Sequence, residues 1–176
     1  ENLIPHYGEL GYHFRHAGET PKALNYFNLA GEDSKKEFRN SDAIYYYDQS
    51  LITDPKNVDI LANKGSALAK MNFYEEAIIH YDSALDVEPN NYQVLNNKAN
   101  ALANLERYDE AIHYYKKALS VDPDHKNANN SLFNLWIKLG TEEVRFFYFE
   151  SAISYFDKVL EIDPANLNAL LAKANA

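Results

Sequence analysis

The chain has 176 residues, 46% hydrophobic and 24% charged, long enough for a sizeable core and too apolar for a disordered segment. Its net charge of −9 argues against binding nucleic-acid phosphates, and the lack of Cys excludes disulfides, thiolate nucleophiles and cysteine zinc sites. Only 6 Gly and 6 Pro against 14 Tyr and 9 Phe favour helices packed through aromatic rings, and no apolar run is long enough to cross a membrane.

Taken from the N-terminus, Tyr7, Leu10, Gly11 and Phe14 open a first unit, about 4–33, whose second helix carries Ala23, Phe27 and Ala30. Ala23 to Ala43 is 20 residues where the later period is 34, so one helix has been dropped. A single long helix from Pro21 to Phe38 is therefore expected, shared with a second unit, about 24–57, that closes at Pro55.

Units 58–91 and 92–125 fix the period. Leu61, Leu68, Ala77, Tyr81, Ala84 and Pro89 recur 34 residues later as Leu95, Leu102, Ala111, Tyr115, Ala118 and Pro123. Thirty-four residues earlier, Ala43, Tyr47, Leu51 and Pro55 precede Ala77, Tyr81, Leu85 and Pro89. Leu95, Ala99 and Leu102 share one helical face; after a corner at 106–108, Ala111, Tyr115, Ala118 and Leu119 repeat the pattern in a second helix. Pro123 forces Asp122 out of the helical region and ends it. Such a helix pair cannot cover its own apolar face, so units must stack.

In the next unit, 126–166, Ala111 to Ala152 and Pro123 to Pro164 are both 41 residues, seven more than the period. The extra residues are placed near 141–147, as two turns that lengthen the second helix, with Thr141 as its cap. Residues 167–176 begin another unit and stop before its second helix. With a first residue other than Met, this reads as a piece of a longer chain.

Over essentially the whole chain these residues resemble the tetratricopeptide repeat (TPR), with its aromatic or Leu, Leu-Gly, Tyr, Ala, Phe and Pro at fixed offsets. The resemblance implies an all-α fold: one right-handed superhelical solenoid of antiparallel helix pairs over 1–176. The N-terminal portion also weakly resembles the repeat regions of signal-transduction ATPases and nucleotide cyclases.

Chemistry is nearly absent. There is no GxGxxG, GxxxxGK, GxSxG or HExxH pattern, and the glycines are dispersed. His6, His13 and His16 are read as a solvated or partly buried face, and His80 and His113 as solvent-facing. Carboxylate pairs such as Glu75-Glu76 and Asp109-Glu110 complement the N-terminal dipole of their helices. No enzyme, cofactor or metal is expected.

In TPR proteins the first helix of each unit lines a concave groove. The resemblance places Asn63, Ser66 and Lys70 there, then Asn96, Asn97, Asn100 and Asn104, then Asn130, Ser131, Asn134 and Lys138. An amide offers a donor and an acceptor, so such a strip suits the backbone of an extended peptide. Related TPR proteins use amide ladders, which carries over to Asn63 and Asn97. A chaperone-tail carboxylate clamp is not expected: where it needs Lys, Asn, Lys and Arg, this chain has Ala62, Ser66, Asn127 and Ser131, and only Asn97 matches.

The run Phe146, Phe147, Tyr148 and Phe149 is a second candidate surface, because a helix cannot bury four adjacent rings on one face. Either some of these rings stay exposed as an interface patch, or Tyr148 and Phe149 replace Phe73 and Tyr74 of the regular corner while the others fold back onto Trp136. The expected function is a cytoplasmic protein-interaction scaffold binding a peptide or partner helix, without nucleic acid or membrane. The alternatives are self-association into homo-oligomers through the aromatic run and the last helix, or a regulatory repeat region of a larger nucleotide-processing protein.

Overall fold

The computed structural model describes residues 6–37 and 39–176. Phe38, the expected end of the shared helix, and residues 4–5 of the first unit lie outside them. Ten helices, α1 to α10, follow one another, with no strand among the described residues. They are α1 (Tyr7–His16), α2 (Thr20–Lys36), α3 (Asn40–Thr53), α4 (Val58–Lys70), α5 (Tyr74–Val87), α6 (Tyr92–Asn104), α7 (Tyr108–Val121), α8 (Lys126–Arg145), α9 (Phe149–Ile162) and α10 (Leu167–Ala174).

Helix packing follows one rule, a small residue against a ring. Twelve positions before the buried alanine of each second helix stands Gly11, Gly31, Gly65, Ala99 or Gly140. A Cβ at Gly65 would lie 2.6 Å from the Tyr81 ring, and one at Gly140 2.5 Å from the Phe156 ring. Those rings are 1% exposed, so neither can move aside. The shared helix α2 obeys the rule twice: its Phe27 packs on Gly11 of α1, while its own Gly31 receives Tyr47 of α3. One helix thus serves as second helix of one unit, through Phe27, and as first helix of the next, through Gly31.

Turns between units are built by sequence. Pro55, Pro89 and Pro164 follow the end of a second helix, and Asn57, Asn91 and Asn166 cap the next helix, each accepting a backbone N–H at 3.2 Å. Within units, the corner residues Asn72, Glu106 and Phe147 take left-handed backbone, with φ of 65°, 59° and 62°. Beside them Phe73, Arg107 and Tyr148 donate N–H to Leu68, Leu102 and Glu143, a Schellman closure.

The long unit departs from the expectation. Its extra length is in the first helix: α8 has 20 residues against 13 in α4 and α6, while α9 has the 14 of α3, α5 and α7. Thr141 caps nothing; it lies inside α8 and its hydroxyl donates to the Ile137 carbonyl at 2.7 Å. At its start α8 keeps the register of α6, with Ala128 buried against Leu95 and Ala118. At its end it keeps the register of α9, with Gly140 twelve residues before Ala152 as Gly65 is before Ala77. The seven added residues preserve the face, since seven is nearly two turns, so one helix satisfies both neighbours.

Candidate functional site

First-helix residues 34 apart form columns along the stack: Asn63, Asn97, Ser131; Ser66, Asn100, Asn134; Lys70, Asn104, Lys138. Two adjoining cavities follow these columns. One, of about 340 Å³, is lined by Ser66, Lys70, Asn97, Asn100 and Asn104 with Tyr74 and Tyr81 of α5. The next, of about 280 Å³, is lined by Asn104, Ser131, Asn134 and Lys138 with Tyr108 and Tyr115 of α7. Asn104 belongs to both, which makes the two a continuous groove.

Several groove side chains are already held. Asn100 Oδ1 accepts from Tyr115 OH at 2.6 Å, and Asn104 Nδ2 donates to the Asn100 carbonyl at 2.8 Å. Ser66 donates to the Ala62 carbonyl and lies 3.4 Å from Tyr81 OH. Burial pushes the Tyr115 phenol up to about 12, so it remains a neutral donor at any physiological pH. Lys138 donates to Tyr108 OH at 2.6 Å and lies 4.0 Å from Glu142. By contrast Asn97 and Asn134 make no side-chain hydrogen bond among the described residues, and their amides line the two cavities.

Four positions differ from expectation. Asn130 is not in the groove: one residue from Ser131 is about 100° of turn, and it lines another cavity, of about 340 Å³, with Lys126, Phe133 and Ile162. Asn96 is buried for the same reason, and its Oδ1 meets no donor among the described residues. Asn63 lines neither cavity; its Oδ1 accepts from Lys35 Nζ of α2 at 2.8 Å. His80 is half-buried, not solvent-facing; desolvation, then nearby Lys64, lowers its pKa. His113 is exposed as expected.

The aromatic run combines both arrangements foreseen for it. Tyr148 and Phe149 do stand where Phe73 and Tyr74 stand in the regular corner, yet Phe146 and Phe147 do not fold onto Trp136. They are 69% and 78% exposed.

The groove aromatics Tyr74 and Tyr108 escaped the sequence reading, although each begins its second helix at the same offset. So did a ladder of ion pairs between units. Lys64 of α4 reaches Asp48 of α3 at 2.5 Å, Lys98 of α6 reaches Asp82 of α5, and Lys173 of α10 reaches Asp157 of α9 at 2.6 Å. The signal is a Lys sixteen residues after an Asp, recurring with the repeat. The rung between α7 and α8 is missing because Lys116 and Leu132 stand there, and Lys116 instead lies 5.7 Å from the Trp136 ring centre.

Three stretches of the sequence match family models described as tetratricopeptide repeat: 58–91, 92–125 and 133–166. The last begins seven residues into α8, in register with α9. No curated protein is significantly similar in sequence. Among solved structures, the MamA protein is 18% identical at a TM-score of 0.67, covering 90% of this chain and 81% of its own. YrrB, described as a TPR protein with an unusual peptide-binding site, is 20% identical at 0.62, covering 98% and 92%. The first TPR of Spaghetti (RPAP3), bound to the HSP90 peptide SRMEEVD, is 21% identical at 0.64, covering 66% and 92%. These are likenesses of fold. The likeness of the N-terminal helices to repeat regions of signal-transduction ATPases and nucleotide cyclases gains no support from them.

Proposed function

This chain belongs to the tetratricopeptide repeat family, and from that premise we infer that it is a protein-interaction module whose first-helix groove receives an extended peptide of another protein. The observation that carries the reading is the pair of amides, Asn97 and Asn134, lining adjoining cavities with no hydrogen bond made to the described residues. Each offers a donor and an acceptor that a peptide backbone satisfies irrespective of its side chains. Tyr74 and Tyr108 supply flat apolar walls between the amides, and Lys70 and Lys138 add the groove's cations. Two neighbours of the same fold are described as peptide-binding, one of them with a bound peptide. No helix among the described residues is long and apolar enough to cross a membrane.

A displayed random-peptide library selected on the wild-type protein tests this. Selected peptides are expected to weaken about tenfold on an Asn97→Ala/Asn134→Ala variant, two lost bonds of about 0.5–1.5 kcal/mol each. Peptides that bind both proteins equally would place recognition elsewhere.

A further inference from the structure

The two added turns of α8 carry its corner about 10 Å beyond the point where a regular first helix ends. At that projecting corner Phe147 occupies the left-handed position held by polar Asn72 and Glu106 in the other units. A bulky ring gains nothing from this backbone, and such strain is kept where it serves a purpose. The Phe147 and Phe149 rings meet edge to face at 6.1 Å. With Tyr148, Glu150 and Ser151 they bound an open cavity of about 410 Å³.

Elsewhere cations of the protein lie over half-buried rings: Lys138 over Tyr108, Lys98 over Tyr114 and Lys158 over Tyr155. Among the described residues no cation covers the rings of 146–149. Nearby charge is acidic, with Glu142, Glu143 and Glu150 against Arg145, in a chain of net charge −9.

We propose that this corner is a second docking surface, which takes a Lys or Arg side chain from a basic, apolar-flanked segment of another protein. Ring faces and the Glu150 carboxylate attract a cation, and the apolar flanks cover the remaining ring surface. A second copy of this chain fits less well, because it would bring another acidic corner against the first. The proposal does not depend on the groove reading.

Fluorescence anisotropy with a labelled twelve-residue peptide of alternating Arg and Leu tests it, beside a matched peptide with Gln for Arg. The variants are Phe147→Asn and Phe149→Ser, which leave net charge unchanged, and the groove variant Asn97→Ala/Asn134→Ala. We expect each corner variant to weaken the Arg peptide about fivefold or more, with no such loss in the groove variant. Phe147→Asn puts a residue suited to left-handed backbone at the corner, so its Tm should not fall. The Gln peptide should bind the wild type no better than the corner variants bind the Arg peptide. Three results overturn the proposal: no binding of the Arg peptide, equal affinity for wild type and corner variants, or equal affinity for the Gln peptide. Concentration-dependent dimers in sedimentation that Phe147→Asn abolishes, with peptide affinity unchanged, would assign the corner to self-association.

Discussion

Lys98 of α6 and Asp82 of α5 form an ion pair in which the lysine is 7% exposed, and the Lys98 ammonium also donates to Tyr114 OH at 2.8 Å. Burial alone would lower its pKa, yet the bonds to Asp82 and Tyr114 hold it above the ordinary lysine value. The pair ties three helices of two consecutive units together. Removing one partner leaves a nearly buried ammonium half-satisfied, whereas removing the ammonium leaves a carboxylate that reaches water. Asp82→Ala is therefore expected to destabilise by about 1–3 kcal/mol, and Lys98→Leu by about 1 kcal/mol or less. The next unit already has Leu132 at the Lys98 position. Urea denaturation of the two variants checks the asymmetry; equal losses would mean the pair acts symmetrically at the surface.

Gly65→Ala tests the ring-against-glycine rule. Its new Cβ would fall 2.6 Å from a Tyr81 carbon in a core that is closed around that ring. Overpacking costs about 1–3 kcal/mol, partly offset by roughly 1 kcal/mol of helix propensity. The variant should unfold at lower denaturant with unchanged helicity, and Gly18→Ala, where no atom lies within 4 Å but φ is +75°, should lose stability through backbone strain alone. A Gly65→Ala protein as stable as wild type would show that the helix pair can spread at this point.

The repeat, its two-helix units and the shared α2 were legible because small residues, rings and prolines recur at fixed distances. The position of the added turns was not. Seven residues rotate a helix by only about 20° short of two turns, so the apolar stripe of α8 runs through the addition without a break in pattern. Only the corner and the spacing from Gly140 to Ala152 reveal that the first helix grew. The same angular logic misassigned Asn96 and Asn130. Each neighbours a residue that lines one of the two cavities, and a single step of about 100° turned one into the core and the other toward Phe133 and Ile162. The ion-pair ladder was hidden for another reason: its partners sit in different units, and acidic residues on second helices read as a solvated face.

His80 predicts a pH dependence. Its folded pKa lies below the ordinary value of 6.5, chiefly through desolvation and then through Lys64, with Asp48 opposing. The unfolded chain then binds the proton more readily than the folded one. Stability is complete above the unfolded pKa and declines as pH falls through 6.5 toward the lower folded value. The denaturation midpoint should drop between about pH 7.5 and pH 5.5, and His80→Gln should lessen that drop. A slope identical in wild type and variant would assign the dependence to other groups.

The peptide SRMEEVD, bound by the Spaghetti (RPAP3) TPR of the same fold, is expected not to bind here with a Kd below about 1 mM. Its glutamates, aspartate and terminal carboxylate need paired cations in the groove. This chain has Ala62 and Ser66 on α4, and Asn127 and Ser131 on the first turns of α8, where the register of α6 is kept. Lys70 and Lys138 stand at opposite ends of one column, and Lys138 is engaged by Tyr108 and Glu142. Supplying Ala62→Lys, Ser66→Asn, Asn127→Lys and Ser131→Arg together should raise affinity by at least about tenfold, measured by calorimetry. Micromolar binding by the unaltered protein would mean that amides and two distant lysines suffice for a carboxylate tail, and that the neutral groove selects its peptide by charge after all.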